Sequence, residues 1–334
     1  MERAEQATAI APENASALNA LGMAQLGTQR YSEALGTFER ALQHGPNNVD
    51  VHFNLAQAQV KLGMLDAGRA SLETALAREP SHLGARIAVT RMESLAGNYS
   101  VALEFVEELK KEFSGQAEPH VLEGDIQIMR GQYNNAIAAY DRAAELLPNE
   151  AIAVKRFQAR DRAGRADSYQ VLQDWLETHP ESVSVRIALA QAHQTQGRSD
   201  EAVAEYRRVL ESTPDDVVSL NNLAWLYAEM GGVENLKTGT EIAARAHRKL
   251  PDLGQITDTY GWLLLLQGNV DEAISKLRQA ARQSPDDPDI RYHLAVALHR
   301  RGASSEARDL LDAILADGSG FSSRDEARAL REEL

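Results

Sequence analysis

The chain has 334 residues, 43% hydrophobic and 25% charged, with ten prolines, 22 glycines and no cysteine. That composition excludes a disordered or collagen-like chain, and the lack of thiols removes disulfides, cysteine nucleophiles and cysteine-type zinc sites. A formal net charge of -14 with a pI near 5.2 opposes binding along a phosphate backbone, so nucleic acid is not expected as a partner.

Eight prolines, at 12, 46, 80, 148, 180, 214, 251 and 285, stand at successive spacings of 34, 34, 68, 32, 34, 37 and 34. Between them each stretch reads as a helix, a Gly-containing turn, a second helix and a Pro-marked stop, because glycine permits the turn and proline cannot continue a helix. Residues 1–14 predict the second helix of a repeat whose first helix lies upstream, leaving an apolar face that invites a homodimer. Residues 15–150 hold four units, beginning near 15, 49, 83 and 117. In the third, the passage "KEFSGQAEPH" lacks a terminal proline, and Pro119 is placed to open the next helix. Residues 151–182 form an irregular fifth unit, two residues short, with Tyr169 and Trp175 off register. Residues 183–321 hold units six to nine, beginning near 183, 217, 254 and 288. The seventh has three extra residues near "GGVENLKTGT", expected to enlarge a loop. Residues 322–334 predict a capping helix with a Ser start and early acidic residues. The longest apolar run, Trp262 to Leu266, is too short to span a bilayer, so no direct membrane insertion is expected.

With each unit numbered from 1, position eight carries Gly22, Ala56, Gly124, Ala190, Ala224, Gly261 and Ala295, and position twenty carries Ala34, Ala102, Ala136, Ala202, Ala273 and Ala307. Small residues let paired helices touch, while Tyr31, Phe38, Tyr133 and Tyr140 are expected in the core between neighbours. The full pattern, as in "LGMAQLGTQRYSEALGTFERALQHGPNN", resembles the tetratricopeptide repeat. The resemblance implies an all-α, right-handed superhelical solenoid of about nine helix-turn-helix units with a C-terminal capping helix.

No phosphate-binding loop, dinucleotide fingerprint, HExxH or GxSxG occurs, so no catalytic residue, cofactor or metal site is assigned and the chain is not expected to be an enzyme. The nine histidines are scattered. His293 and His299 are six apart, off a common helix face, and are expected to be solvated or groove residues. Asp215 with Asp216, and Asp286 with Asp287, follow prolines at helix starts and are expected to cap.

The resemblance places the first helix of each unit on a concave face, at positions two, five, six, nine, twelve and thirteen. The N-terminal half offers Asn19, Met23, Phe53, Asn54, Gln57, Arg91, Asp125 and Met129, a mixed surface. The C-terminal half offers Asn221, Asn222, Trp225, Asp258, Thr259, Trp262, Tyr292, His293, His299 and Arg300, where aromatic faces alternate with hydrogen-bonding groups. These ten are the candidate partner-binding residues, and Trp225 and Trp262 serve equally as packing at the joint with the next unit. Asn54 and Asn222 match the single asparagine of the chaperone-tail clamp of related repeat domains. Their neighbours, Asn19 with Met23 and Ile187 with Gln191, do not complete it. The asparagine ladder of sugar-transferase repeat domains is also absent.

The ordered phrases "SLNNLAWLYAE", "DTYGWLLLLQG", "PDDPDIRYHLAVALHRRG" and "EARDLLDAILADGSGFSSRDEARAL" are similar to the PrsT-type repeat lipoproteins of exosortase and exopolysaccharide systems in Gram-negative bacteria. That resemblance implies a lipid-anchored periplasmic protein, a scaffold for polysaccharide assembly or export, with protein partners. A carbohydrate-binding module that stacks polysaccharide on Trp225 and Trp262, and a cytoplasmic adaptor or co-chaperone, stay open as alternatives.

Overall fold

The computed structural model describes residues 1–316 and 320–334; positions 317–319 of the predicted ninth unit lie outside the described residues. The described residues form helices and turns without a strand, in two compact units, Met1–Ser168 and Tyr169–Leu334. The first unit contains α1 (Glu2–Ile10), α2 (Ala15–Gly27), α3 (Tyr31–His44), α4 (Val49–Lys61), α5 (Leu65–Arg78), α6 (Leu83–Leu95), α7 (Tyr99–Glu112), α8 (Glu118–Met129), α9 (Tyr133–Leu146) and α10 (Glu150–Arg162). The second contains α11 (Gln170–Thr178), α12 (Val183–Thr195), α13 (Ser199–Ser212), α14 (Val217–Met230), α15 (Val233–Lys249), α16 (Gly254–Leu266), α17 (Val270–Gln283), α18 (Pro288–Arg300), α19 (Ser304–Ala316) and α20 (Arg324–Glu333).

Within each unit successive helices pair as antiparallel hairpins, and small residues sit where the pairs touch. A methyl group on Gly22 would lie 2.4 Å from Phe38 Cε1, and one on Gly124 would lie 2.3 Å from Tyr140 Cε1. Ala34, Ala102, Ala136, Ala202, Ala273 and Ala307 are fully buried on the second helices. An aromatic ring from the second helix thus fills the volume that a glycine on the first leaves open, which is how close packing is reached without voids. Phe38 and Tyr140 are core as expected. Tyr31 and Tyr133 are only half-buried, because each is the first residue of its helix and half its ring faces out.

Most hairpin turns place a glycine at positive φ, for example Gly63 at 76° and Gly97 at 82°; in the first hairpin the equivalent residue is Gln29, at 60°. Asn14, Asn48, Asn149, Asp216 and Asp287 accept backbone N–H bonds at helix starts. Only one aspartate of each predicted pair therefore caps, and Asp215 instead holds Lys249. Pro119 lies in the first turn of α8. Ser323 does not cap α20 with its side chain. The backbone N–H groups of Ser322 and Ser323 donate to Asp289 on α18, which ties the residues before α20 to that helix.

The three extra residues of the seventh hairpin do not enlarge a loop. They lengthen its second helix, α15, to 17 residues, with Gly231 and Gly232 alone separating it from α14. In the region of the predicted fifth unit α11 is short, at nine residues, and Trp175 stacks on His179 with centroids 4.2 Å apart. α1 buries no residue, and Ile10 is 86% exposed.

Candidate functional site

The first helices of three successive hairpins, α14, α16 and α18, carry the ten candidate residues. α14 and α18 start at aspartate caps. α16 lacks a side-chain cap but approaches its partner closely, since a methyl on Gly254 would meet Ser284 Oγ at 2.2 Å and one on Gly261 would meet Leu277 at 2.8 Å.

At the centre stands His293, whose Nδ1 lies 2.8 and 3.0 Å from the two carboxylate oxygens of Asp258. The carboxylate accepts, so Nδ1 carries the proton and Nε2 is turned away from this bond. Both residues are buried, at 5% and 6% exposure. Trp262 stacks on the imidazole with centroids 4.4 Å apart and planes at 27°. Trp225 and Tyr292 tilt against it at 5.7 and 5.8 Å. The two tryptophans and Tyr292 are half-buried. Trp225 Nε1 donates to Glu229 Oε1 at 2.9 Å, one helical turn along α14. Glu229 is exposed and was not singled out from sequence, although its four-residue offset from Trp225 is the spacing at which helix side chains meet.

The structure thus brings Trp225, Asp258, Trp262, Tyr292 and His293 together and separates the rest from them. His293 is not a solvated groove histidine; its bond to Asp258 and the rings around it bury it. Asp258 is likewise an internal partner, not a free groove carboxylate. Thr259 is buried and its Oγ1 donates to Gln255 O within its own helix, at 3.0 Å. Asn222 Nδ2 donates to Tyr206 Oη at 3.2 Å, which fixes it to the hairpin before. Asn221 Oδ1 is buried without a hydrogen-bond partner. Arg300 donates to Leu265 O at 3.2 Å, and His299 Nε2 lies 3.9 Å from Glu333 of α20.

The Asp258–His293 bond joins residues 35 apart, position five of one unit to position six of the next. Asn19 and Asn54 of the first unit repeat the relationship, with Asn54 Nδ2 donating to Asn19 Oδ1 at 3.0 Å. Asn54, the match to a clamp asparagine, is therefore spent on its neighbour. Among the described residues no group of three or more His, Asp or Glu side chains is placed to hold a metal ion, and no helix is long and apolar enough to cross a membrane.

Hairpins of paired helices, repeated at 34 residues with small-on-aromatic contacts, define a helical-repeat protein. The family model for the tetratricopeptide repeat matches residues 25–88, 163–231 and 264–334, more than half of the chain, and the chain belongs to that family. It is similar to the TPR repeat-containing protein PA4667 of Pseudomonas aeruginosa, 24% identical over 173 residues, 51% of this chain and 29% of that one. It is also similar to cellulose synthase 1 operon protein C of Komagataeibacter xylinus, 31% identical over 134 residues, and to cellulose synthase operon protein C of Pseudomonas fluorescens, 30% identical over 166 residues. These matches cover 39% and 47% of this chain and 10% and 13% of the relatives. The chain thus spans less than a third of the length of these curated relatives. Among solved structures, a tetratricopeptide repeat protein from Parabacteroides merdae aligns with a TM-score of 0.53 at 15% identity, covering 75% of this chain and 98% of that one. Human IFIT1, solved as a dimer with m7Gppp-AAAA, aligns with a TM-score of 0.59 at 15% identity, covering 96% of this chain and 81% of its own. At that identity both bear on the fold alone.

Proposed function

We propose that the second unit is a non-catalytic scaffold that grips a protein partner on the Trp225, Trp262 and Tyr292 rings, within a bacterial envelope complex for exopolysaccharide assembly or export. The observation that carries this is the cluster itself: three half-buried rings from successive first helices lean on one buried imidazole, which Asp258 holds in place. Rings held in this way lose little freedom on binding, and such aromatic anchors each contribute on the order of 2 kcal/mol to protein interfaces. The polysaccharide setting is supported by the similarity to the cellulose synthase operon proteins and by the C-terminal phrases shared with PrsT-type lipoproteins. A periplasmic, lipid-anchored location follows from the second resemblance.

A glycan ligand is the second hypothesis, favoured by the Trp225 bond to Glu229, which sets a carboxylate at the edge of an aromatic ring. The test uses the wild-type chain and a Trp225→Ala, Trp262→Ala double variant, both shown to melt cooperatively. Each is immobilised and exposed to solubilised envelope extract and, separately, to soluble cello-oligosaccharides. Proteins captured by the wild type alone support the scaffold. Ring-dependent oligosaccharide binding without protein capture selects the glycan module, and equal capture by both forms removes the cluster from consideration.

A further inference from the structure

Seven lysines are spread along the chain, and the surroundings of the amine set one of them apart. Lys110, Lys155 and Lys249 sit on carboxylates, and Lys61, Lys111 and Lys237 are exposed. Lys276 on α17 does neither. Its Nζ donates to His247 Nε2 on α15, at 3.1 Å, and lies 5.6 Å from the centroid of the Tyr260 ring on α16. Lysine offers only donors, so Nε2 is the acceptor and Nδ1 carries the imidazole proton. Nδ1 donates in turn to Thr257 Oγ1 at 3.3 Å, and that hydroxyl donates to Leu253 O at 3.1 Å.

The frame around the pair is braced from both sides. Gln279 and Gln283 of α17 donate to Pro251 O, at 3.1 and 2.8 Å, which ties the turn between α15 and α16 to α17. The His247 and Tyr260 rings tilt together with centroids 5.6 Å apart. Burial, with Lys276 adding to it, pushes the imidazole below the ordinary 6.5, so near neutral pH Nε2 keeps a lone pair for the amine's proton. The charge of Asp252 opposes that shift and favours the ring once it has taken a proton. Lys276, His247 and Tyr260 are half-buried, which leaves the site open to small reagents on one side.

We propose that Lys276 is a site of acylation by small acyl phosphates, with His247 taking the amine's proton. An amine needs a base beside it to act as a nucleophile, and the imidazole is that base. The ammonium passes one proton to Nε2, and the Nζ lone pair forms a bond to the acyl carbon. The bond from that carbon to the phosphate oxygen breaks and phosphate leaves with the electron pair. The nitrogen then gives a second proton to water, which leaves a neutral amide. Arg248 selects a phosphate leaving group over an uncharged one. It follows His247 on α15, is exposed and forms no ion pair with a described carboxylate. Burial and Glu272 push the Tyr260 hydroxyl up from its ordinary value while the charge of Arg248 opposes them, which places that guanidinium near the same ring. Lys276, His247 and Arg248 stand on second helices, and none belongs to the ten candidate residues or to the aromatic cluster.

The test incubates the full chain with acetyl phosphate and reads acetylation at each lysine by peptide mass spectrometry. Lys276 is expected to react at least about tenfold faster than Lys61, Lys111 and Lys237 in the same sample, a comparison that needs no variant. His247→Gln is expected to slow Lys276 about tenfold and to leave those three unchanged. Arg248→Gln, at an exposed position, is expected to slow it several-fold with acetyl phosphate and not at all with the uncharged N-hydroxysuccinimidyl acetate. Circular dichroism melts check that each variant folds. A Lys276 that reacts no faster than the exposed lysines, or whose rate with acetyl phosphate is indifferent to either substitution, overturns the proposal.

Discussion

His293 on α18 donates to Asp258 on α16 across 35 residues of chain, and the bond is closed off by the Trp262 ring stacked on the imidazole. Removing one member leaves a buried polar group unmatched, which costs more than the pair contributes. Asp258→Ala is expected to destabilise the chain by about 2–4 kcal/mol in urea unfolding. Asp258→Leu with His293→Leu is expected to cost less than Asp258→Ala alone. A double variant worse than the single would show that the bond does not organise this joint.

The glycines inside helices divide into two kinds. Gly22 and Gly124 face rings at under 3 Å from an added methyl, while Gly27 and Gly36 face open space. Gly22→Ala and Gly124→Ala should each cost about 1–3 kcal/mol through forced displacement of Phe38 or Tyr140. Gly36→Ala, in the interior of α3, should instead stabilise by about 0.5–1 kcal/mol, because the unfolded chain loses freedom and the folded one loses nothing. Thermal melts of the three variants should rank in that order, with Gly36→Ala above the wild type.

Gln29 holds the left-handed turn position that glycine occupies in the next three hairpins. A side chain there crowds its own backbone, so Gln29→Gly should raise stability by up to about 1 kcal/mol, despite the entropy glycine brings to the unfolded chain. Gly63→Gln, the reciprocal change, should lower it. The same chemical denaturation measurement reads both.

Burial pushes the imidazoles of His120, His193 and His247 below the ordinary histidine value of 6.5, with Lys110, Arg198 and Lys276 adding to the effect in turn. Between 6.5 and the lower folded values the unfolded chain binds more protons, so stability is present above about pH 6.5 and is lost as pH falls through that window. Melting temperature should therefore be flat above neutrality and decline toward pH 5. His193→Gln should make the decline shallower. The carboxylates held low, Glu93, Asp215 and Asp312, contribute only at more acid pH, below about 4.5, and do not confuse the result. A slope unchanged by the histidine variant would assign the decline elsewhere.

The helix hairpins were legible because one spacing, 34, ties prolines, turn glycines and small contact residues together, and each has a steric reason to recur. What sequence missed were relationships between hairpins. Asp258 and His293 look like two polar groove residues until the 35-residue offset from position five to position six is noticed, and the Asn19–Asn54 bond could have revealed it. The length of α15 was missed for a different reason: extra residues beside Gly231 and Gly232 suggest a loop, yet the run after them holds no proline before Pro251, and Gly239 within it is buried by packing. The Ser start of the last helix makes no side-chain cap, and the contact that the sequence does not show is the backbone bond from Ser323 to Asp289, 34 residues earlier.

Three residues add about 4.5 Å and 300° to a helix, about 60° short of a full rotation. The three residues that α15 has beyond the 14 of α13 and α17 therefore shift the phase of its side chains by only about 60°. Chain length at this hairpin is thus close to phase-neutral: insertions of three or four residues should graft in here without disturbing the stack, which makes α15 a natural point for extending the array with new material.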